Sequence, residues 1–305
     1  MIVPVLVGPT ASGKTAVVTA LAALTGIEVI SADSRQVVRG LDVGTAKPTR
    51  IERAAAPYHG LDLIGPDERY SAGRFARDAA DWIAAILARE GLPVVVGGTG
   101  FYVRALFDGL FDEPPMEPGQ RDALRHLLAA MDRPTLERWA ARLDPGFAGG
   151  GAQRAARTVE IALLAGRSLS VLQRSSAPPI AAARPWYARL VVPRAELHRR
   201  IAARAEAMVR DGIVEETARV LASGVPASAP GLSGVGYPEA VAVLEGRLPR
   251  AGLALAIAAA TRRYARRQET WFRHQLRGAV LDLDGTEGAT VVAETLLTAY
   301  RAACA

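Results

Sequence analysis

One eight-residue string near the start of this 305-residue chain limits its folds more than any other feature: Gly8-Pro9-Thr10-Ala11-Ser12-Gly13-Lys14-Thr15. Glycine, four residues, glycine, lysine and threonine is the phosphate-binding P-loop spacing. The string follows an apolar run, Ile2–Val7, and precedes a helical pattern over 16–25. That context matters, because the loop works where a strand hands over to a helix. Successive backbone N–H groups then converge on one phosphate at the helix N-terminus. Lys14 adds a compact positive charge, and the Thr15 hydroxyl is placed to meet Mg²⁺. The expected fold class is α/β, a P-loop NTPase-like parallel sheet core flanked by helices, with ligands beyond the carboxyl ends of the strands.

The rest of the pattern extends that frame. Ile27–Ala32, Val94–Val96, Leu190–Val192 and Val280–Leu283 read as strands, and 72–90 reads as a helix opened by Ser71. Pro4 within the first run counts against a central strand. Residues 112–119, around Glu113-Pro114-Pro115, read as a linker. From 120 to 175 the pattern is helical, with breaks at Asp144-Pro145-Gly146 and Gly149-Gly150-Gly151, and a Ser/Pro/Ala-rich segment over 175–185 returns the chain. Helices are expected at 195–223, 237–246 and 250–277. The chain is long enough for about two domains. They are a catalytic core over 1–111 and 186–305, and a small all-helical insertion over 112–185.

A P-loop implies a polyphosphate but not a reaction. Enzymes that hydrolyse nucleotides commonly add a strand ending in Asp to hold the metal. Here Val94-Val95-Val96 runs into Gly97-Gly98-Thr99-Gly100, and the strand-end carboxylate is Asp33. The P-loop, Asp33 and Thr99 all fall at strand ends and should share one crevice. Charge adds a second constraint. The net charge is +6, and only Lys14 and Lys47 of the 37 basic residues are lysine. Seven Arg against two Glu over 184–210, and six Arg against one Glu over 262–277, concentrate the positive charge. Clustered basic charge suits a phosphate-rich partner such as nucleic acid. Tyr264 and Trp271, seven residues apart, are expected to face the core. Cys304 is the single cysteine, so an intrachain disulfide and a cysteine zinc site are excluded. No run reaches membrane-spanning length and no signal peptide is expected, so a cytoplasmic location is anticipated. A small-molecule kinase would need an NTP but no basic insertion, and the absence of Asp after Val94–Val96 disfavours a non-catalytic RNA-binding ATPase.

Further strings carry a resemblance. Asp33-Ser34-Arg35-Gln36, then Arg39-Gly40-Leu41-Asp42-Val43-Gly44-Thr45-Ala46-Lys47-Pro48, then Gly97-Gly98-Thr99-Gly100-Phe101-Tyr102, and finally Thr261-Arg262-Arg263-Tyr264-Ala265-Arg266-Arg267-Gln268 continued by Thr270-Trp271-Phe272-Arg273, stand in that order. With the P-loop they resemble the tRNA dimethylallyltransferase (isopentenyltransferase) family over nearly the whole chain. Three departures stand out. Val38 replaces a usual Tyr, Gly60 replaces a second His after His59, and Ala148-Gly149-Gly150-Gly151-Ala152 replaces an Arg-Ile-His-Pro-Asn-Asp string in the insertion.

The resemblance implies transfer of a dimethylallyl group from dimethylallyl diphosphate to the exocyclic N6 amine of the adenosine 3′ to the anticodon in tRNA. Prenylation of a free adenine nucleotide is the sister reaction; the basic insertion and the arginine-rich C-terminal helix weigh against it. Asp33 would accept the amine proton, with Thr99 as the second catalytic group. Gly8, Pro9, Thr10, Ala11, Ser12, Gly13, Lys14, Thr15 and Arg204 would bind the diphosphate, with Mg²⁺ at Thr15 as cofactor. The tRNA anticodon stem-loop would meet Asp33, Ser34, Arg35, Gln36 and Thr99. On the insertion it would meet Arg121, Gln153, Arg154, Ala155, Ala156 and Arg157. No membrane and no protein partner is implied.

Overall fold

In the computed structural model, which describes residues 1–111, 117–174, 177–180 and 182–305, the P-loop does join a strand to a helix. The elements are β1 (Ile2–Val7), α1 (Lys14–Leu24), β2 (Ile27–Ser31), α2 (Arg50–Ala55), β3 (Tyr58–His59), α3 (Ala72–Ala88), β4 (Leu92–Gly97), α4 (Gly100–Asp108), α5 (Pro118–Ala129), α6 (Arg133–Leu143), α7 (Ala152–Ala165), α8 (Leu169–Arg174), β5 (Arg184–Val191), α9 (Arg194–Arg210), α10 (Ile213–Ala222), α11 (Tyr237–Leu244), α12 (Leu253–Gln275), β6 (Val280–Asp284) and α13 (Ala289–Cys304). The six strands form one sheet in the order β3-β2-β4-β1-β5-β6. Every pairing is parallel, which explains the unbroken apolar runs of β1, β2 and β4: both faces are covered.

Pro4 is accommodated because the β4 ladder begins only at Val5. A missing N–H at Pro4 therefore costs no bond in that ladder. Ser71 caps α3, its side chain accepting from the Arg74 N–H. The helix expected over 195–223 is two helices. Gly212 breaks it with φ 91°, a left-handed conformation that a side chain would strain, and α10 starts immediately after it. Helices α2, α4 and α13 lie outside the helical patterns of the sequence.

Two compact units emerge, Met1–Phe107 with Pro179–Ala305, and Asp108–Pro178. The boundary falls before the anticipated residue 185 because Arg184 is already paired as the first residue of β5. Most of the linker expected over 112–119, and residues 175, 176 and 181 of the expected return segment, lie outside the described residues. In the larger unit one apolar cluster joins the sheet to α1 and α13 through Leu6, Val18, Val96 and Leu296. Another joins α9 to α12 through Leu197, Ile201, Met208, Tyr237 and Ile257. The smaller unit has its own core of Leu128, Leu136, Ala140, Ala155 and Val159.

A buried carboxylate fixes the loop that links β2 to α2. Glu216 on α10, 4 % exposed, accepts from the N–H groups of Asp42 (2.8 Å), Val43 (3.0 Å) and Gly44 (3.4 Å) and from the Tyr237 hydroxyl (2.8 Å). Lys47 plays a matching structural part. Its ammonium, 1 % exposed, binds Asp42 (2.7 Å) and Asp62 (2.6 Å). Glu216→Ala strands four donors in a dry site. It is expected to lower unfolding stability by about 2–3 kcal/mol, read as a shifted denaturant midpoint at unchanged slope. An unshifted midpoint would show that the loop finds other partners.

Candidate active site

The P-loop wraps the N-terminus of α1. Gly13 precedes it with φ 99°, the left-handed conformation that turns the chain into the helix. The first N–H groups of α1 have no intrahelical partner and face the crevice mouth. Thr10, Ala11, Lys14 and Thr15 line a crevice of about 210 Å³ together with Asp33, Gln36, Arg204 and Tyr264. Gly8, Pro9, Ser12 and Gly13 build the loop itself. Lys14 Nζ donates to the Gly8 carbonyl (2.9 Å) and the Pro9 carbonyl (2.7 Å). Burial is the main cause pulling its pKa down to about 8; Asp33 opposes the fall and Arg204 adds to it.

Arg204 comes from α9. Burial lowers its pKa, against the pull of Asp33. Its Nε and the Ser12 Oγ are buried without a hydrogen-bond partner. Buried donors of this kind call for an acceptor, and a phosphate oxygen is a fitting one. A cation also fits. No cluster of three His, Cys, Asp or Glu exists among the described residues, and Mg²⁺ needs none when substrate phosphates and waters complete its shell. Thr15 is the protein hydroxyl placed to join it.

The acceptor side is built by β2 and β4, which neighbour each other in the sheet. Asp33 Oδ1 accepts from the Arg35 N–H (2.8 Å) in a tight turn. Among the described residues nothing hydrogen-bonds Oδ2. Thr99 Oγ1 accepts from the Ser34 N–H (3.0 Å) and lies 3.3 Å from Ser34 Oγ. Arg35 and Gln36 are held inside the protein. Arg35 donates to the Pro230 carbonyl (3.2 Å) and Ser233 Oγ (2.9 Å). Gln36 accepts from Ser31 (2.9 Å) and donates to the Ala46 carbonyl (3.2 Å). Both therefore shape the crevice walls in this state.

Helix α12 supplies parts that the motif spacing did not reveal. Gln268, 6 % exposed, accepts from the Thr10 N–H (2.8 Å) and donates to the Gly98 carbonyl (2.8 Å). One amide thus ties the P-loop to the loop carrying Thr99, and a Cβ on Gly98 would collide with it. Tyr264 faces the crevice rather than the core, as does Thr261. Trp271 packs against Gly100, where a Cβ would overlap its ring. Positions 261, 264, 268 and 271 share one helical stripe, and Ala258, Ala265 and Phe272 lie buried on another. The seven-residue spacing put Tyr264 and Trp271 on one face but could not say which. Burial pushes the Tyr264 phenol up to about 12, so it stays protonated. Arg267 lies over its ring at 5.6 Å.

The basic stretches differ from one another. In 184–210, Arg189 pairs with Asp282 (2.7 Å), and Arg199 and Arg200 pair with Glu196 (2.7 Å each). Arg204 belongs to the crevice. Arg184, Arg194, Arg199 and Arg210 are exposed, so the stretch divides between internal ion pairs and a solvent-facing set. In α12, Arg263, Arg266, Arg267 and Arg273 are exposed.

On the insertion unit, the arginines gather around a buried acid. Glu160, with a side chain 4 % exposed, binds Arg121 (2.8 Å), Arg125 (3.0 Å) and Arg157 (2.8 Å). The three guanidiniums lower its pKa against burial. Gln153 and Arg154 are exposed, whereas Ala156 is half-buried. Ala155, expected at the RNA face, is fully buried in the unit's core, since α7 must turn that stripe inward to pack on α6. Gly149, Gly150 and Gly151 all have positive φ (80°, 126° and 88°), a path closed to the bulkier string they replace.

Comparison with known proteins agrees with this geometry. The IPP transferase family pattern matches residues 36–275, and the isopentenyl transferase pattern matches residues 1–56. A tRNA dimethylallyltransferase of Anaeromyxobacter dehalogenans (strain 2CP-C) is 47% identical, over 90% of this chain and 92% of its own. One from Anaeromyxobacter sp. (strain K) is 46% identical, over 89% and 90%. The crystal structure of the full-length tRNA isopentenylpyrophosphate transferase from Bacillus halodurans superposes with a TM-score of 0.71 at 29% identity, covering 98% of this chain and 95% of that one.

Proposed function

The chain belongs to the IPP transferase family, and from that premise we propose that it is a tRNA dimethylallyltransferase. It transfers the dimethylallyl group of dimethylallyl diphosphate to the N6 amine of the adenosine beside the anticodon, on its 3′ side, and releases diphosphate. The observation that carries the reading is the joining of a diphosphate cradle to a strand-end carboxylate in one crevice. Gln268 bridges the two loops, while Lys14, Arg204 and Asp33 all line the space between.

The chemistry follows from these residues. The bond from the prenyl C1 carbon to the diphosphate oxygen breaks as the C1–N6 bond forms, and the leaving oxygen gains charge. Lys14, Arg204 and the α1 N–H groups meet that charge without rearranging. Magnesium, when bound at Thr15, supplies further neutralisation of the diphosphate. An adenine amine is a weak nucleophile because its lone pair is shared with the ring. Asp33 takes its proton as the new bond forms, through the oxygen that the turn leaves available. Thr99 orients the amine. The base must leave its stack to enter the crevice, as anticodon-loop bases can. No helix among the described residues is long and apolar enough to cross a membrane, and a tRNA substrate supports a cytoplasmic location.

The test is incubation with labelled dimethylallyl diphosphate and either total tRNA or AMP. Label is expected in tRNA alone, with no need for ATP and complete loss on chelating Mg²⁺. Label in AMP, or phosphate release from ATP, would replace this reading. Salt dependence tests the RNA surface. Affinity for tRNA should fall steeply with salt, and Arg266→Gln or Arg273→Gln should each lower the log–log slope by about 0.7–0.9. Arg199→Gln, whose charge is already paired, should leave the slope unchanged. Equal slopes for all three would remove α12 from the interface.

A further inference from the structure

The crevice has a larger neighbour. A second cavity of about 550 Å³ lies beside it, lined by the apolar Val43, Pro48 and Ala207 near the partition and by charged residues such as Lys47, Arg53 and Asp62 elsewhere. Ala46, Arg204 and Met208 line both spaces, so these three side chains form the partition between them. Two belong to α9, where Arg204 and Met208 stand one turn apart on the same face. Ala207 and Asp211 continue that stripe along the second cavity. The partition is thus a guanidinium, which holds diphosphate in the proposed reaction, followed by an apolar side chain one turn along. Met208 is 7 % exposed and packs in the cluster of Leu197, Ile201 and Tyr237.

We infer that Met208 sets the length of the prenyl group this site accepts, by closing the crevice against the adjoining cavity. The inference rests on the prenyl-transfer reading. A dimethylallyl group anchored through its diphosphate at Arg204 extends no further than the apolar wall beside that anchor. A donor longer by one five-carbon unit must displace the Met208 side chain to pass. Methionine suits this place: it is unbranched, fills irregular space and presents no polar atom that needs a partner. The step is the same for either donor. The C1–O bond breaks, the C1–N6 bond forms, diphosphate leaves with the electron pair and Asp33 takes the proton. Only the space behind the chain differs.

Shortening Met208 should open the partition. The readout is the ratio of kcat/KM for geranyl diphosphate to kcat/KM for dimethylallyl diphosphate, with tRNA as acceptor and the full chain as enzyme. Size discrimination in apolar pockets runs about 10–200-fold per missing or added carbon group. Met208→Ala is therefore expected to raise the ratio about tenfold or more, with the prenylated adenosine identified by mass. Met208→Val, which is shorter yet keeps an apolar core side chain, should raise it in the same direction and serves if the alanine variant does not fold. An unchanged ratio in a folded variant rejects the gate while leaving the transfer reaction standing. Failure of the unaltered protein to transfer dimethylallyl to tRNA overturns both, so the two failures are distinguishable. Efficient use of geranyl diphosphate by the unaltered protein would also overturn the gate.

Discussion

Replacing Asp33 with alanine is expected to lower kcat by about 10²–10⁴, while tRNA affinity stays within about tenfold. A general base acts chiefly in the transition state, so its loss appears in turnover more than in binding. Asp33 also has a structural task, because Oδ1 accepts the Arg35 N–H. Asp33→Asn separates the two roles. The amide oxygen can keep the turn, but it cannot take a proton at neutral pH. Asparagine should therefore lose nearly as much turnover as alanine and keep the thermal stability of the parent. A variant of normal stability and normal turnover would remove Asp33 from the mechanism. One side effect is diagnostic. Asp33 holds the Lys14 pKa up, so its removal should shift Lys14 further down.

Much of this site's arrangement is legible in the sequence, and the sheet explains why. β2, β4 and β1 are neighbours, so Asp33 and the P-loop, each just past a strand end, converge on one crevice, and Thr99 sits against Ser34 beside them. Period and position sufficed for them because each follows a short apolar run at once. Gln268 and Tyr264 were a different matter. Gln268 reaches the Thr10 N–H across 258 positions of sequence. Helical spacing groups such residues on one face but does not say what that face meets. The same limit concealed Glu216, which reads as one more acid in α10 until three loop N–H groups and a tyrosine are seen around it. Charge counting has the same limit. The arginines of 184–210 resemble those of α12 in number, yet three of them pair with Glu196 and Asp282. A local charge sum carries no record of which acids fold back onto it.

Lys14 provides the sharpest pH signature. With its pKa drawn down to about 8, it is charged below that pH in the free enzyme and neutral above it. Only the charged form attracts diphosphate. Affinity for dimethylallyl diphosphate, measured by calorimetry without tRNA, should therefore hold up to about pH 8. Above it, affinity should fall about tenfold per pH unit, until the unassisted loop N–H groups carry what remains. The sign follows from linkage: a ligand that prefers the ammonium raises its pKa on binding, so the limb in kcat, which reports the bound enzyme, should lie at higher pH than the limb in kcat/KM. Lys14→Ala should lower kcat/KM for the donor by about 10²–10³ at neutral pH, the cost of removing one donor aimed at developing charge. Lys14→Arg should abolish the alkaline limb, since a guanidinium does not titrate in this range. It should not restore full activity, because a planar fork cannot reach both loop carbonyls and the diphosphate from the position of a compact ammonium. A donor affinity that stays flat from pH 7 to about 9.5 in the unaltered protein would mean that Lys14 is not the group that reads the diphosphate charge.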